Sequence, residues 1–197
     1  MRMLEPCCYH KQLGELVNEC EKLEKMPCTH FFSNSDWDAF QLLESLAPYA
    51  EGGTLCVAMI HLDTRMIETL RKLLLRLRVD ENDKSKAVPY LNRVILVTQP
   101  GMDGEALNQR EEVYAQLGKF IDNGTLTVCE DNIGFRCILA GNGRHHLVIQ
   151  GSLNPQKSNA LQMFTLTASG REYDEILQMF EVRSRMRNVF RRTQSNH

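Results

Sequence analysis

One stretch, Gly143–Leu166 (GRHHLVIQGSLNPQKSNALQMFTL), constrains the fold more than any other. Its branched apolar run, residues 147–149, is typical of a buried strand. Gly151 follows at the point where that strand must stop or bend, and a glycine there allows a close backbone approach. Pro155 cannot donate a backbone hydrogen bond, so strand pairing ends before it. An alternating pattern resumes at Asn159, and the stretch therefore predicts a strand, a polar loop and a second strand.

Two polar residues stand at the exit of the first of these strands. Ser152 and Asn154 are two positions apart, and alternate residues of an extended segment share a face. Their side chains can therefore converge on one anion, which suits phosphate binding. A plain polar turn is the alternative interpretation of the pair taken alone.

The preceding residues extend the pattern. Two apolar segments, Phe135–Ala140 and His145–Gln150, flank Gly141, Asn142 and Gly143, a combination typical of a hairpin turn. The order strand, turn, strand, G-S-x-N, loop, strand resembles the second half of the phospholipase D superfamily, and in particular its small single-motif, nuclease-like members. The resemblance extends loosely over residues 28–190, but only this segment matches a specific motif.

The resemblance implies a fold and a chemistry. The fold would be α/β, a phospholipase D-like mixed sheet flanked by helices on both faces. In the family, an H-x-K strand with an acid five residues after the lysine precedes the G-S-x-N strand, and a glutamate often follows. The histidine attacks phosphorus to form a phosphohistidine, and a second histidine, from the other half or the other subunit, protonates the leaving group.

This chain keeps the G-S-x-N motif at residues 151–154 and departs from the rest. Glycines stand where the family has its nucleophile and its acid, at Gly134 and Gly141, and Arg136 replaces the lysine. Arginine retains the charge and presents it as a planar fork. Glutamine replaces the glutamate. The resemblance thus predicts a phosphate-binding set without the standard nucleophile, made of Arg136, Ser152, Asn154 and Gln162.

Histidines elsewhere in the chain leave an alternative open. A replacement nucleophile would have to be a histidine near Ser152 and Asn154, and the candidates are His61, His145 and His146. His145 and His146 are consecutive in a predicted strand, so only one of them could face the site.

The rest of the chain alternates strand and helix patterns, which favours α/β layering. Predicted strands cover 28–32, 54–60, 93–98 and 125–129, and predicted helices cover about 37–49, 64–79, 105–122 and 171–192. We expect residues 1–26 to contribute an amphipathic helix packed on the domain, with a partner as the alternative, and residues 27–197 to form a single phospholipase D-like α/β domain.

Composition limits the partners. The net charge of −2 provides no global basic field for nucleic acid or membrane, and no apolar run approaches the roughly 20 residues of a membrane span. The concentrated basic patch lies in the last helix, at Arg183, Arg185, Arg187, Arg191 and Arg192. It would either hold phosphate backbone or serve helix-dipole compensation and solvation.

Seven cysteines, an odd count without C-x-x-C, argue against a disulfide framework and a zinc site. We therefore expect a cytoplasmic protein with no cofactor and no metal, although paired carboxylates at Glu130 and Asp131 leave a metal site as a minor alternative.

Three functions remain open at this point. The first is a catalytically degenerate domain that binds a phosphate-bearing ligand or nucleic acid. The second is an active phosphodiesterase or nuclease that uses a displaced histidine, and the third is a non-catalytic protein-interaction scaffold. Because single-motif family members complete one site from two subunits, the resemblance also implies a two-fold homodimer.

Overall fold

The structure is a computed structural model that describes residues 28–33, 39–59, 62–100, 105–132, 134–151 and 162–190. Its strands are β1 (Cys28–Ser33), β2 (Thr54–Met59), β3 (Leu77–Val79), β4 (Ala87–Pro89), β5 (Arg93–Thr98), β6 (Leu126–Glu130), β7 (Cys137–Gly141), β8 (His146–Gly151) and β9 (Gln162–Thr167). Its helices are α1 (Ala39–Leu46), α2 (Thr64–Leu75), α3 (Glu105–Asp122) and α4 (Gly170–Arg187), with a 3₁₀ turn at Ala47–Ala50.

A seven-stranded mixed sheet organises these elements, in the order β1–β9–β8–β7–β2–β5–β6. Strands β2, β5 and β6 are parallel, and β7 joins them antiparallel to β2. The pairs β7–β8, β8–β9 and β1–β9 are also antiparallel. We call the edge that holds the carboxyl ends of β2, β5, β6 and β8 the carboxyl edge, and the opposite one the amino edge.

Alternation along the strands divides the interior into two cores, because successive side chains point to opposite faces. The larger core lies under α1, α2 and α3 and includes Leu55, Val57 and Leu96. The smaller lies under α4 and includes Cys56, Ala58 and Phe180. Helices therefore cover both faces of the mixed sheet, as the sequence predicts.

The boundaries of most described elements agree with the sequence prediction, with α3 and β5 matching end to end. Asp63 caps α2 as expected, since its Oδ1 accepts a hydrogen bond from the backbone N–H of Met66 at 2.8 Å. The predicted extent of that helix, to residue 79, is wrong. The backbone becomes extended at Arg76, and residues 77–79 pair with β4 in a small separate hairpin.

The missed hairpin has a physical explanation. Leu77 and Val79 are apolar at spacings that continue a helical pattern, yet both are exposed, at 65 % and 61 %. Strand pairing with residues 87–89, not burial, fixes their conformation. The predicted N-terminal helix lies outside the described residues. None of the described helices is long and apolar enough to cross a membrane.

Candidate functional site

The motif segments meet at the carboxyl edge. Strands β7 and β8 form the predicted hairpin, whose turn is closed by a hydrogen bond from the N–H of Asn142 to the carbonyl of His145. Beyond the last ladder pair, the N–H of Gly151 donates to the carbonyl of Arg136 at 3.4 Å. Arg136 therefore stands directly beside the strand end that leads into the G-S-x-N motif.

Gly151 is in a conformation that favours glycine. Its φ is 155°, and a Cβ built there would approach the carbonyl oxygen of Met163 to 2.3 Å. The close approach expected at this position is thus made by β9, the neighbouring strand. Gln162 begins β9 at the same edge and pairs in register with Ser33.

Three of the predicted site residues, Ser152, Asn154 and His61, lie outside the described residues, as does the side chain of Gln162. The part of the predicted phosphate site that the structure describes is therefore Arg136, Gly151 and the backbone of Gln162. These three come together at one edge of the sheet.

The two glycines aligned with the family's catalytic positions have different surroundings. Gly134 is exposed, and among the described residues outside its chain neighbours no atom lies within 4 Å of a Cβ built on it. Gly141 is buried at the amino edge, where a built Cβ would meet the ring of Tyr173 at 2.5 Å. An aromatic ring thus fills the space that an acid at Gly141 would need.

The structure separates His145 and His146 from the motif. His146 begins β8 and Gly151 ends it, so the two positions are five residues apart, or roughly 16 Å at the rise of an extended strand. The ring of His145 contacts Tyr49 edge-on at 5.3 Å between centroids, and His146 contacts Tyr173 in the same way at 5.1 Å. Both histidines therefore lie at the amino edge, away from Gly151, and the expectation that one of them replaces the nucleophile stays a prediction.

Ion pairs lie at the carboxyl edge where β6 ends. Arg110 binds Glu130 with two hydrogen bonds, one of them 2.7 Å from Nε to Oε1. Arg183 binds the buried Asp131, and Arg187 lies 3.6 Å from the same carboxylate. Both carboxylates of the alternative metal site are thus paired with arginine, and in the described part of the chain no cluster of His, Cys, Asp and Glu could hold a metal ion.

These pairs also change the interpretation of the basic patch. Two of its five arginines, Arg183 and Arg187, are partly neutralised by Asp131, and residues 191–192 lie outside the described part. No local pattern of residues predicts the Arg183–Asp131 pair, because its members are 52 positions apart and belong to different parts of the fold.

Comparison with solved structures identifies the fold. A phospholipase D family member, Nuc from Salmonella typhimurium, matches with a TM-score of 0.50 at 10 % identity, over 82 % of this chain and 95 % of the other. NucT from Helicobacter pylori matches with a TM-score of 0.50 at 10 % identity, over 82 % and 98 %. The chain has a phospholipase D-like fold.

A larger protein contains a similar unit. Polyphosphate kinase from Porphyromonas gingivalis matches with a TM-score of 0.51 at 10 % identity, over 92 % of this chain but 27 % of that one. No protein-family model and no curated protein matches the sequence. The phospholipase D-like fold therefore rests on the architecture.

Proposed function

We propose that this chain is a catalytically degenerate phospholipase D-like domain that binds a phosphate-bearing ligand at the carboxyl edge, with nucleic acid as one candidate. The observation that carries the proposal is the hydrogen bond between Gly151 and Arg136. It holds a guanidinium-bearing residue beside the start of the G-S-x-N motif. Arg136 would offer two parallel donors to phosphate oxygens, while Ser152 and Asn154 would offer further hydrogen bonds and Gln162 would complete the site.

The same geometry argues against retained catalysis. Gly134 places no side chain at the aligned nucleophile position, and the acid position at Gly141 faces Tyr173. His145 and His146 are at the opposite edge. Two structural neighbours are named as a phospholipase D family member and a polyphosphate kinase, and both names refer to phosphate-bearing substrates, which supports a phosphate-bearing ligand for this chain.

Titration of Arg136→Ala tests the binding site. Charge-assisted hydrogen bonds contribute roughly 1.5–3 kcal/mol each, so the variant should bind a nucleotide about tenfold or more weakly, with its fold intact by circular dichroism. Arg71→Ala removes an equal charge from the exposed surface of α2 and should bind like the wild type. A short DNA duplex at two salt concentrations measures any additional polyanion contacts, which appear as a steeper salt dependence.

Two results would overturn this proposal. One is that neither nucleotide nor DNA binds, and the other is that Arg136→Ala binds both as tightly as the wild type does. Either would favour the protein-interaction scaffold.

Because Asp131 partly neutralises Arg183 and Arg187, the salt dependence for DNA should be shallower than five free arginines would produce.

A hydrolysis assay separates the degenerate domain from the active alternative. Without added metal, we expect no turnover of a chromogenic phosphodiester above background, because general acid–base catalysis by itself contributes about 10²–10⁴-fold and both aligned groups are glycine. Turnover that disappears in His145→Ala, His146→Ala or His61→Ala would instead establish the active phosphodiesterase, with that histidine as its nucleophile.

The proposal includes an assembly and a location. The single motif in a chain of this length supports a two-fold homodimer in which two carboxyl edges face each other, and cyclic two-fold dimers are the commonest homo-oligomers.

The four cysteines that the structure describes, Cys28, Cys56, Cys129 and Cys137, are all free thiols. This supports a cytoplasmic location, where thiols stay reduced.

A further inference from the structure

A polar cleft lies at the amino edge, at the opposite ends of the strands from the proposed phosphate site. It has a volume of about 560 Å³ and is bounded by three segments: the turn at residues 48–52, the β3–β4 hairpin at 78–82, and the β7–β8 turn at 142–145. Ligand sites in proteins commonly measure about 300–1,000 Å³. The cleft is thus large enough for a small molecule.

The walls of the cleft are held in place by their own hydrogen bonds. Asn142 Oδ1 accepts from the N–H groups of Arg144 and His145 at 2.8 and 3.0 Å, and its Nδ2 donates to the carbonyl of Glu51 at 3.1 Å. The β7–β8 turn is therefore fastened to the neighbouring wall. Contact between the two is so close that a Cβ on Gly53 would lie 2.1 Å from the carbonyl oxygen of Gly141.

Arg78 lies on the wall of this cleft with an unsatisfied donor. Its guanidinium packs against Gly52, since a Cβ built there would be 3.2 Å from Cζ. The Nε of Arg78 is buried, and it makes no hydrogen bond within the described part of the chain. Because this Nε has almost no exposed surface, an anion in the cleft would accept hydrogen bonds from the terminal nitrogens of the guanidinium and not from Nε.

The other wall contributes donors that face the same space. Arg144, with an exposed side chain, and His145, whose ring rests edge-on against Tyr49, both line the cleft. Two arginines from separate walls around a central space form an arrangement that suits one oxyanion. Arg78 would contribute a fork that needs little reorganisation.

Acidic residues in the same lining limit the size of the anion. Glu51, Asp80 and Glu81 bound the cleft together with the two arginines, so positive charge is confined to one spot and the cleft lacks the extended positive surface that a polyanion such as nucleic acid needs. Asp80 is turned toward its own backbone, where it accepts from the N–H of Asn82 at 2.9 Å. The remaining carboxylates can accept hydrogen bonds from hydroxyl or amino groups of a ligand.

We propose that this amino-edge cleft binds a small hydrophilic phosphate ester of the sugar-phosphate class, with the phosphate between Arg78 and Arg144 and the hydroxyl groups toward the carboxylates. The site is independent of the proposed carboxyl-edge site. It uses other residues, and it lies at the opposite ends of the strands.

Calorimetric titration with a hexose 6-phosphate, inorganic phosphate and the unphosphorylated hexose tests this site. We expect the sugar phosphate to bind more tightly than phosphate and the hexose not to bind. Arg78→Gln and Arg144→Gln should each weaken the sugar phosphate by about tenfold or more, and Arg71→Gln, on the exposed face of α2, should leave it unchanged.

A steric variant keeps the test valid if Arg78→Gln does not fold. Gly143 lines the cleft and is exposed, and no atom of the described residues beyond its chain neighbours lies within 4 Å of a built Cβ. Gly143→Trp should therefore fold, fill part of the space and abolish binding. Absence of sugar-phosphate binding to the wild type would overturn the proposal, as would binding that survives Gly143→Trp and both arginine variants.

Crossing these variants with Arg136→Ala separates the two sites. Sugar-phosphate binding should be unaffected by Arg136→Ala, and competition by a short DNA duplex should be absent. If Arg136→Ala abolishes sugar-phosphate binding while Arg78→Gln preserves it, the ligand belongs to the carboxyl edge and the amino-edge cleft is not its site.

Discussion

At the scale of single residues, Gly134, Gly141 and Gly151 have different structural roles. Gly151 allows β9 to approach closely, Gly141 leaves space for the Tyr173 ring, and Gly134 faces no neighbouring atom. Only the first role was predicted from the sequence, because a glycine at a strand end is a local signal. The contact between Gly141 and Tyr173 joins residues 32 positions apart and has no local signature.

The two aligned catalytic positions should therefore tolerate substitution unequally. Gly134→His should leave stability close to that of the wild type, because the new side chain meets open space. Gly141→Asp should destabilise by about 1–3 kcal/mol or more, since overpacking forces neighbours to move and a buried carboxylate lacks a partner. Urea denaturation midpoints compare the two.

A double variant provides the control for this pair. Tyr173→Ala should reduce the penalty of Gly141→Asp, because it removes the ring that the new side chain meets. Equal midpoints for the two single variants would show that the Tyr173 contact does not exclude a side chain at Gly141.

At the scale of elements, α4 covers a small core that is rich in thiols. Cys56, Cys129 and Cys137 come from β2, β6 and β7 and are fully buried beneath the helix. Small side chains at these positions allow the helix to lie close to the sheet, with Phe180 packed in the same core. A buried thiol acts as a small hydrophobe, as the apolar strand patterns predicted for all three.

These thiols should make the fold sensitive to alkaline pH. Burial raises the pKa of Cys129 from the usual 9.0 to about 11, and burial, with neighbouring thiols adding to it, raises the pKa of Cys56. The folded state keeps protons that the unfolded state releases, so the stabilisation is complete below pH 9 and is lost as pH rises from 9 toward 11. The loss is about 1.4 kcal/mol per pH unit for each thiol.

Denaturation midpoints measured under reducing conditions from pH 8 to pH 10.5 check this dependence. The denaturation midpoint of Cys129→Ala should decline less steeply with pH than that of the wild type, and the difference should correspond to about one thiol. Since lysines and tyrosines titrate equally in both proteins, the difference between the slopes isolates the thiol. Parallel curves would mean that Cys129 ionises alike in the folded and unfolded states.

At the scale of the whole molecule, the sheet separates two polar regions that the sequence places close together. The β7–β8 hairpin has Arg136 and Gly151 at one end and the turn with Arg144 at the other. The proposed phosphate site and the proposed sugar-phosphate cleft therefore lie at opposite edges. An assembly in which the carboxyl edges of two chains face each other would leave the amino edge of each chain accessible.

The proposed homodimer can be tested by its mass and by its geometry. Light scattering at micromolar concentration should give twice the mass of one chain. A photoreactive amino acid at Gly134, at the carboxyl edge, should crosslink two chains, whereas the same group at Gly143, at the amino edge, should not. Both positions are exposed and have space for a side chain, so they form a matched pair.

A monomeric mass would remove the dimer from the proposal. Crosslinking from Gly143 alone would keep the dimer and reverse its orientation, and it would place the amino-edge cleft at the interface.

Local sequence patterns were enough to predict the α/β class, the order of most described strands and helices, the cap at Asp63 and the hairpin that feeds Gly151. These features depend on periodicity, on turn residues and on backbone donors within a few positions of each other. The position of Arg136 beside Gly151 could also be predicted, because a tight hairpin fixes which residues face each other across it.

The fold, and not the local sequence, sets where the charged and catalytic candidates lie. It placed His145 and His146 at the far edge, paired Asp131 with Arg183, and gathered Arg78 and Arg144 around one cleft. Each of these depends on the direction of a strand or on contact between segments far apart in the chain. Burial and strand pairing across the whole sheet set such contacts, and no local pattern of residues encodes them.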